Sequence, residues 1–133
     1  MSRLSERIEN FNRAYKLFSL AQIAYTSDRE NDINKLAIIQ AFEIVYELGW
    51  KVIKDILDTK GIKVYTPKDV IKTAFSTNIL PTAQVWIDMS DDRNSSSHEY
   101  DNDKTDRIIE KIAGLYYEEI TRFKNSLGEY NAW

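Results

Sequence analysis

The chain contains no cysteine, one histidine, two prolines and four glycines among its 133 residues. Without cysteine it can form neither a disulfide framework nor a thiolate metal site or nucleophile, and a reducing compartment suits it. A single histidine cannot build a zinc site within one chain. Scarce proline and glycine leave few positions where the backbone must break, so long helices are expected.

Bulk composition is that of a globular protein, with 43% hydrophobic and 29% charged residues. The length suits one domain, covering residues 1–133. A net charge of −3 provides no general basic field for nucleic acid, so any such role must depend on a local site. The charged N-terminal stretch lacks the apolar core of a signal peptide, and no run reaches the ~20 apolar residues of a membrane span. We expect a cytoplasmic protein without a membrane role.

Three- and four-residue spacing of apolar side chains predicts two long helices in the first half of the chain. The first runs from Leu4 to Tyr25, and the second from near Ile33 to about Thr59. The second carries two apolar stripes, which is typical of a helix that is central or buries another face against a partner. The polar residues of the second helix form a narrow strip: Glu43, Glu47, Lys51 and Asp55. We predict that this strip is exposed to solvent and that Glu47 and Lys51 form a favourable ion pair.

Turn and capping residues divide the second half into two short helices and one long one. Gly61 is predicted to end the second helix, and Thr66 and Pro67 to begin the third. A fourth helix with an apolar patch around Trp86 is predicted to end near Arg93. The last helix opens at 101–103 and continues until Gly128 ends it. The predicted fold is all-α, an antiparallel up-and-down bundle of three long and two short helices.

The stretch DRNSSSHEY, residues 92–100, is the most chemically distinctive part of the sequence. Arg93 and His98 lie at a predicted junction between two helices, where side chains from a loop and a helix end converge. Arginine binds a phosphate through two points and stabilises extra transition-state charge, while histidine exchanges protons with a ribose hydroxyl near neutral pH. This pair is sufficient for RNA cleavage through the 2′-hydroxyl without a metal, and no cofactor is expected.

One histidine cannot easily act as both base and acid in the same step. A two-fold dimer that joins two copies of the stretch would supply two histidines and two arginines. The second apolar stripe of the second helix offers a surface for such pairing.

The sequence resembles the HEPN superfamily. The resemblance lies in FEIVYELGWKVIKD on the second helix, TPKDVIKTAF on the third, and a Trp and a Met followed by RNSSSHEYD before the last helix. Within the superfamily it is similar to the nucleotidyltransferase substrate-binding proteins, a branch that includes HepT-type toxins. The resemblance implies a homodimerising helical bundle in which the Arg-x4-His motifs of two protomers face each other across a cleft and act as a metal-independent ribonuclease.

Four residues take roles by this resemblance. Arg93 and His98 would be the catalytic pair, and Asn94 the polar residue that follows the arginine. Family members are commonly encoded beside a minimal nucleotidyltransferase that acts as antitoxin. Tyr100 would be the tyrosine that this partner adenylylates, and the bulky anion added there would compete for Arg93 and block the cleft.

Two other hypotheses remain open. The protein could be a noncatalytic partner subunit that presents a substrate to a nucleotidyltransferase. It could also be a helical scaffold in which substitutions in the motif have no effect. The charge around the motif bears on this choice, because acidic side chains repel a polyanion. Only Arg93 is basic between positions 88 and 103, against six acidic residues: Asp88, Asp91, Asp92, Glu99, Asp101 and Asp103. Lysines and arginines from the second and last helices would have to line the approach: Lys51, Lys54, Lys104, Arg107 and Lys111.

Overall fold

A computed structural model describes residues 2–96 and 102–130, and all regular structure in those two ranges is helical. Five helical stretches occur there, three long and two short, in agreement with the prediction. The first four are α1 (Arg3–Ser27), α2 (Asp32–Thr59), α3 (Pro67–Ser76) and α4 (Gln84–Ser96). The last stretch comprises α5 (Asn102–Lys111), a π-helical turn (Ile112–Tyr116), α6 (Tyr117–Ser126) and a 3-10 turn (Leu127–Tyr130).

The helix boundaries follow the capping residues in the sequence. The Asn31 side chain accepts a hydrogen bond from the Asn34 backbone N–H at 3.0 Å, which satisfies one free donor at the start of α2. Thr66 accepts from the Asp69 N–H at 3.3 Å in the same way before α3. Gly61, just beyond the end of α2, has φ of 78°, a left-handed conformation that glycine adopts at little cost. The predicted signals at Gly61 and Thr66 are confirmed.

Contacts at both ends establish that α1 and α2 run in opposite directions. The Asn34 amide donates to the Ala24 carbonyl at 3.0 Å, where α1 ends and α2 begins. At the other end, Arg7 Nε lies 3.0 Å from Asp55 Oδ2. The last helical stretch also lies along α1, because the Tyr15 and Thr121 hydroxyls are 2.6 Å apart. The core therefore lies between α1, α2 and the last helical stretch.

Four details differ from the sequence-based prediction. The prediction that Asp55 belongs to a solvated strip was wrong. Asp55 is buried, with 4% of its surface exposed, because Arg7 and Arg3 pair with it where α1 crosses α2. The α4 helix continues to Ser96 instead of ending near Arg93. The π-helical turn at 112–116 was not predicted. Gly128 lies within the 3-10 turn, so α6 ends before it, at Ser126. The predicted Glu47–Lys51 pair is present, at 3.4 Å.

No helix in the described ranges combines the length and the apolar character needed to cross a membrane.

The Arg7–Asp55 ion pair generates a stability prediction. Replacing Arg7 with methionine leaves a buried carboxylate for which Arg3, 3.7 Å away and mostly exposed, compensates only in part. We expect Arg7→Met to lower the free energy of unfolding by about 3 kcal/mol in urea titrations. The matched control is Arg13→Met, which removes an exposed pair with Glu9 and should cost less than about 1 kcal/mol. Equal losses in the two variants would contradict a special role for the buried pair.

Candidate functional site

Arg93 lies in the last turns of α4, against the outer side of α2. It is partly buried and lines a groove of about 280 Å³, and the following residue, Asn94, is exposed. The other groove residues all belong to α2: Gln40, Glu43, Ile44, Glu47 and Leu48. The groove thus combines one guanidinium with two carboxyl side chains. It is small and open, just below the ~300–1,000 Å³ that is typical of ligand pockets.

The residue before the arginine is fixed by the last helical stretch. The Tyr116 hydroxyl donates a hydrogen bond to the Asp92 carboxylate, and Lys111 Nζ lies 3.1 Å from the same oxygen. Tyr116 is fully buried and belongs to the π-helical turn, while the Asp92 side chain is only 17% exposed. Burial and the Asp92 charge raise the pKa of Tyr116 well above its usual value, so the phenol remains a hydrogen-bond donor at all physiological pH values. We call Asp92, Lys111 and Tyr116 the Asp92 cluster.

Side chains of α3 and α2 lie beside the same turn of α4. Lys68 of α3 forms a 2.8 Å ion pair with Asp91. On α2, burial raises the pKa of the Tyr46 hydroxyl, and the nearby Ser90 hydroxyl and Arg93 charge oppose that rise. Side chains from α3 and the last helical stretch therefore pair with residues 91 and 92, and α2 side chains line the groove beside Arg93. Arg93 follows a well-anchored backbone and is not on a loose loop.

The structure describes two of the four predicted site residues. Arg93 and Asn94 are adjacent at the end of α4, whereas His98 and Tyr100 lie outside the described residues. Two of the acidic residues near the motif are paired with lysines, Asp91 with Lys68 and Asp92 with Lys111. These pairs reduce the local negative charge that the sequence alone suggested.

Of the basic residues proposed to line the approach, Lys111 lies beside the motif. Lys111 forms an ion pair with Asp92, however. Lys51 pairs with Glu47, and Lys54 pairs with Asp58. The sequence analysis missed the Asp92 cluster because its members are 19 and 24 positions apart. One signal was available: Tyr116 falls on an apolar stripe, and a buried tyrosine needs a partner for its hydroxyl.

Other candidate sites are separate from the motif. In the described ranges no three acidic or histidine side chains are grouped closely enough to hold a metal ion. A larger groove of about 590 Å³ lies at the C-terminal end of α2, between Arg3, Asp55, Lys63 and Tyr130. It borders the buried ion pair of the fold and contains no predicted site residue.

The Asp92 cluster generates a prediction about the anchoring of α4. Tyr116→Phe keeps the buried ring but removes the donor to Asp92, so we expect the free energy of unfolding to fall by about 1–2 kcal/mol in urea titrations. Lys111→Met, the control, removes only the half-exposed partner and should cost less than about 1 kcal/mol. A Tyr116→Phe variant as stable as the parent would mean that the cluster does not hold the helix.

Comparison with known proteins places these features in a family. The family model described as "Nucleotidyltransferase substrate binding protein like" matches residues 6–129. A relative, the probable ribonuclease HepT of Haemophilus influenzae, is 34% identical over 79 residues, which are 56% of this chain and 54% of that protein. The chain thus aligns with about half the length of this curated relative. The family match covers nearly the whole chain, and the protein belongs to the nucleotidyltransferase substrate binding protein-like family.

Proposed function

We propose that the protein is a HEPN ribonuclease toxin that cleaves RNA without a metal, with Arg93 and His98 as the catalytic pair and Asn94 beside them. The observation that carries the proposal is the presentation of Arg93 in a surface groove, on a helix end held by three neighbouring elements. The lone histidine follows five residues later in the chain. The name of the Haemophilus relative, a probable ribonuclease, supports the same reaction.

The chemistry required of these residues is a transesterification at phosphorus. A base removes the proton of the ribose 2′-hydroxyl, the 2′-oxygen attacks the adjacent phosphorus, and the bond from phosphorus to the 5′-oxygen breaks. The leaving 5′-oxygen takes a proton from an acid, giving a 2′,3′-cyclic phosphate and a free 5′-hydroxyl. An imidazole near its pKa can serve as base or acid, and a guanidinium stabilises the charge that builds on the phosphoryl oxygens.

The reaction needs a base and an acid on opposite sides of the phosphorus, and the chain has one histidine. Two copies that face each other across a cleft supply both. The proposed active form is therefore a homodimer of helical bundles, with both Arg-x4-His motifs at a shared groove.

Control by a nucleotidyltransferase completes the proposed function. The family description links such chains to nucleotidyltransferases, and we assign the cognate enzyme the role of antitoxin. It would transfer adenylate from ATP to the Tyr100 hydroxyl and release pyrophosphate. The added phosphodiester carries a negative charge two positions from His98, where it competes with RNA for Arg93.

One observation favours a different function, that of a noncatalytic partner subunit of a nucleotidyltransferase. Glu43 and Glu47 line the same groove as Arg93, and their charges oppose the approach of a polyanion. In that case the groove would bind a small ligand or the partner protein, and the motif would not cut RNA.

The ribonuclease proposal predicts metal-independent cleavage. Purified protein should cleave RNA in the presence of EDTA, and its expression should slow growth. Arg93→Ala and His98→Ala should each lower the cleavage rate by about 100-fold or more while circular dichroism shows unchanged helicity. Arg13→Ala, which removes an exposed arginine of α1 that does not line the Arg93 groove, is the control for a general loss of positive charge and should retain activity.

Two outcomes would overturn this assignment. Either motif variant that stays as active and as toxic as the parent excludes its residue from catalysis. A parent protein that forms a stable complex with the cognate nucleotidyltransferase but never cleaves RNA would instead support the noncatalytic partner subunit.

Adenylylation is tested separately. Incubation with the cognate nucleotidyltransferase and ATP should add the mass of one adenylate to each chain and stop RNA cleavage. Tyr100→Phe should abolish the mass gain and leave cleavage intact, because the phenol is the acceptor and not part of the catalytic pair. Tyr65→Phe is the matched control, since Tyr65 is 72% exposed and lies far along the chain from the motif. Unchanged labelling of the Tyr100 variant would mean that another residue accepts the adenylate.

A further inference from the structure

Two carboxyl side chains line the groove that contains Arg93, and the proposed reaction gives them no role. They belong to Glu43 and Glu47 of α2, and both residues are partly buried. A carboxylate beside an RNA backbone is repelled by the phosphates. Its presence becomes favourable where it accepts hydrogen bonds from donors of the RNA, and those donors are carried by the bases and the ribose.

Glu47 is held in the groove by two neighbours on α2. The indole N–H of Trp50 donates to Glu47 Oε2 at 3.3 Å, and Lys51 Nζ lies 3.4 Å from Oε1. Trp50 is buried, so its indole N–H is a fixed donor. A carboxylate has about four acceptor positions, and these two contacts leave one on each oxygen. The Glu47 side chain is 39% exposed, so a ligand can reach it.

The other residues of the groove suit a flat ligand with a polar edge. Ile44 is 43% exposed and Leu48 is partly buried, and both place aliphatic groups beside the carboxyl groups. Gln40 adds an amide that both donates and accepts hydrogen bonds. A nucleobase has the matching structure, because its faces pack against apolar groups while its edge carries donors and acceptors.

Among the four RNA bases, guanine fits a carboxylate best. Its Watson–Crick edge carries two neighbouring donors, the ring N1–H and the N2 amino group, which pair with the two oxygens of one carboxylate. Adenine and cytosine present one amino group beside an acceptor nitrogen, and uracil presents one N–H between two carbonyl oxygens. These acceptors repel a carboxylate, so the charge that attracts guanine also rejects the other bases.

We propose that Glu47 binds the Watson–Crick edge of an unpaired guanine adjacent to the scissile phosphate, so that the protein cleaves single-stranded RNA at guanine. The inference rests on the proposed function, in which Arg93 binds the scissile phosphate. Because Arg93 and Glu47 line the same groove, a phosphate at Arg93 brings the base of the attached nucleotide to Glu47. Unstacked bases in single strands are read by proteins along this edge.

Single-stranded RNA oligonucleotides that differ at one central base test the inference on the full chain. We expect the parent to cleave next to guanine about tenfold or more faster than next to the other three bases, measured as kcat/KM. Two analogues locate the contact. Inosine lacks the N2 amino group and should be cleaved about tenfold more slowly than guanosine. A 7-deazaguanosine keeps both donors and should be cleaved as fast as guanosine.

Glu47→Gln tests the residue itself, because the amide keeps the size of the side chain but replaces one acceptor oxygen with a donor. The ratio of guanosine to inosine cleavage should fall from about ten to about one in this variant. A loss of structure would instead slow all substrates equally and leave the ratio unchanged. The matched control is Glu9→Gln, which alters an exposed carboxylate of α1 outside the groove and should keep the ratio of the parent.

Three results would overturn the assignment to Glu47 while the ribonuclease stands. The first is cleavage that does not depend on the central base. The second is a guanosine preference that survives Glu47→Gln but is lost in Glu43→Gln, which would assign the contact to Glu43. The third is faster cleavage of every RNA by Glu47→Gln, which would mean that the carboxylate only repels the backbone.

Binding measurements separate this inference from the proposed ribonuclease function. The fluorescence anisotropy of labelled oligonucleotides reports their binding to the His98→Ala variant, which should not cleave them. Tighter binding of guanosine RNA than of inosine RNA, by about tenfold, upholds the recognition even if the parent never cleaves RNA and the ribonuclease is overturned. Equal binding of the two RNAs, together with a parent that never cleaves them, overturns both proposals.

Discussion

The position of α4 depends on Trp86, which is fully buried against α2. The indole packs edge-on to Phe123, with ring centres 5.2 Å apart, and lies over Gly49 of α2. A methyl group at Gly49 would meet the Trp86 ring at 3.5 Å and the Phe11 ring at 3.2 Å, so the missing side chain lets both rings approach the helix. The indole N–H is satisfied by Glu119 at 2.9 Å. One large side chain thus joins α4 to α2 and α6.

The apolar anchor at Trp86 and the polar anchor at Asp92 act on the same short helix. Trp86 fixes the first turns of α4, and Asp92, two turns later, is held by Tyr116. The π-helical turn contributes here, because it shifts the register of the last helical stretch at the residue that contacts Asp92. Two anchors that lie about 120° apart around a short helix leave little freedom for rotation about its axis. The direction of Arg93 into the α2 groove follows from that restriction.

Sequence patterns predicted much of the fold, because helix periodicity and capping act over three or four residues. Asn31, Gly61 and Thr66 each have a local role that a single sequence reveals. Long-range pairing has no such signature. Asp55 occupies a polar position four residues after Lys51, and only the crossing of α1 brings Arg7 to it and buries it. The length of α4 was underestimated for a related reason, since the polar run after Arg93 resembles a turn while Asp91 and Asp92 are held by distant lysines.

The candidate site was predictable in its chemistry but not in its surroundings. Arg93 was identified from the residue types near a lone histidine, whereas its groove is built from α2 side chains about fifty positions earlier. The two apolar stripes of α2 acquire a physical explanation from that arrangement. In the C-terminal half of α2 both stripes are buried within the chain, one at Val52 and Ile56 and the other at Ile53 and Leu57. In the N-terminal half, further aliphatic side chains outside the two stripes are exposed, namely Ile33, Leu36 and Ile44, and Ile44 lines the Arg93 groove. Apolar surface of this extent favours association, and it borders the candidate site because Gln40 and Ile44 line both the Arg93 groove and an apolar groove between α1 and α2.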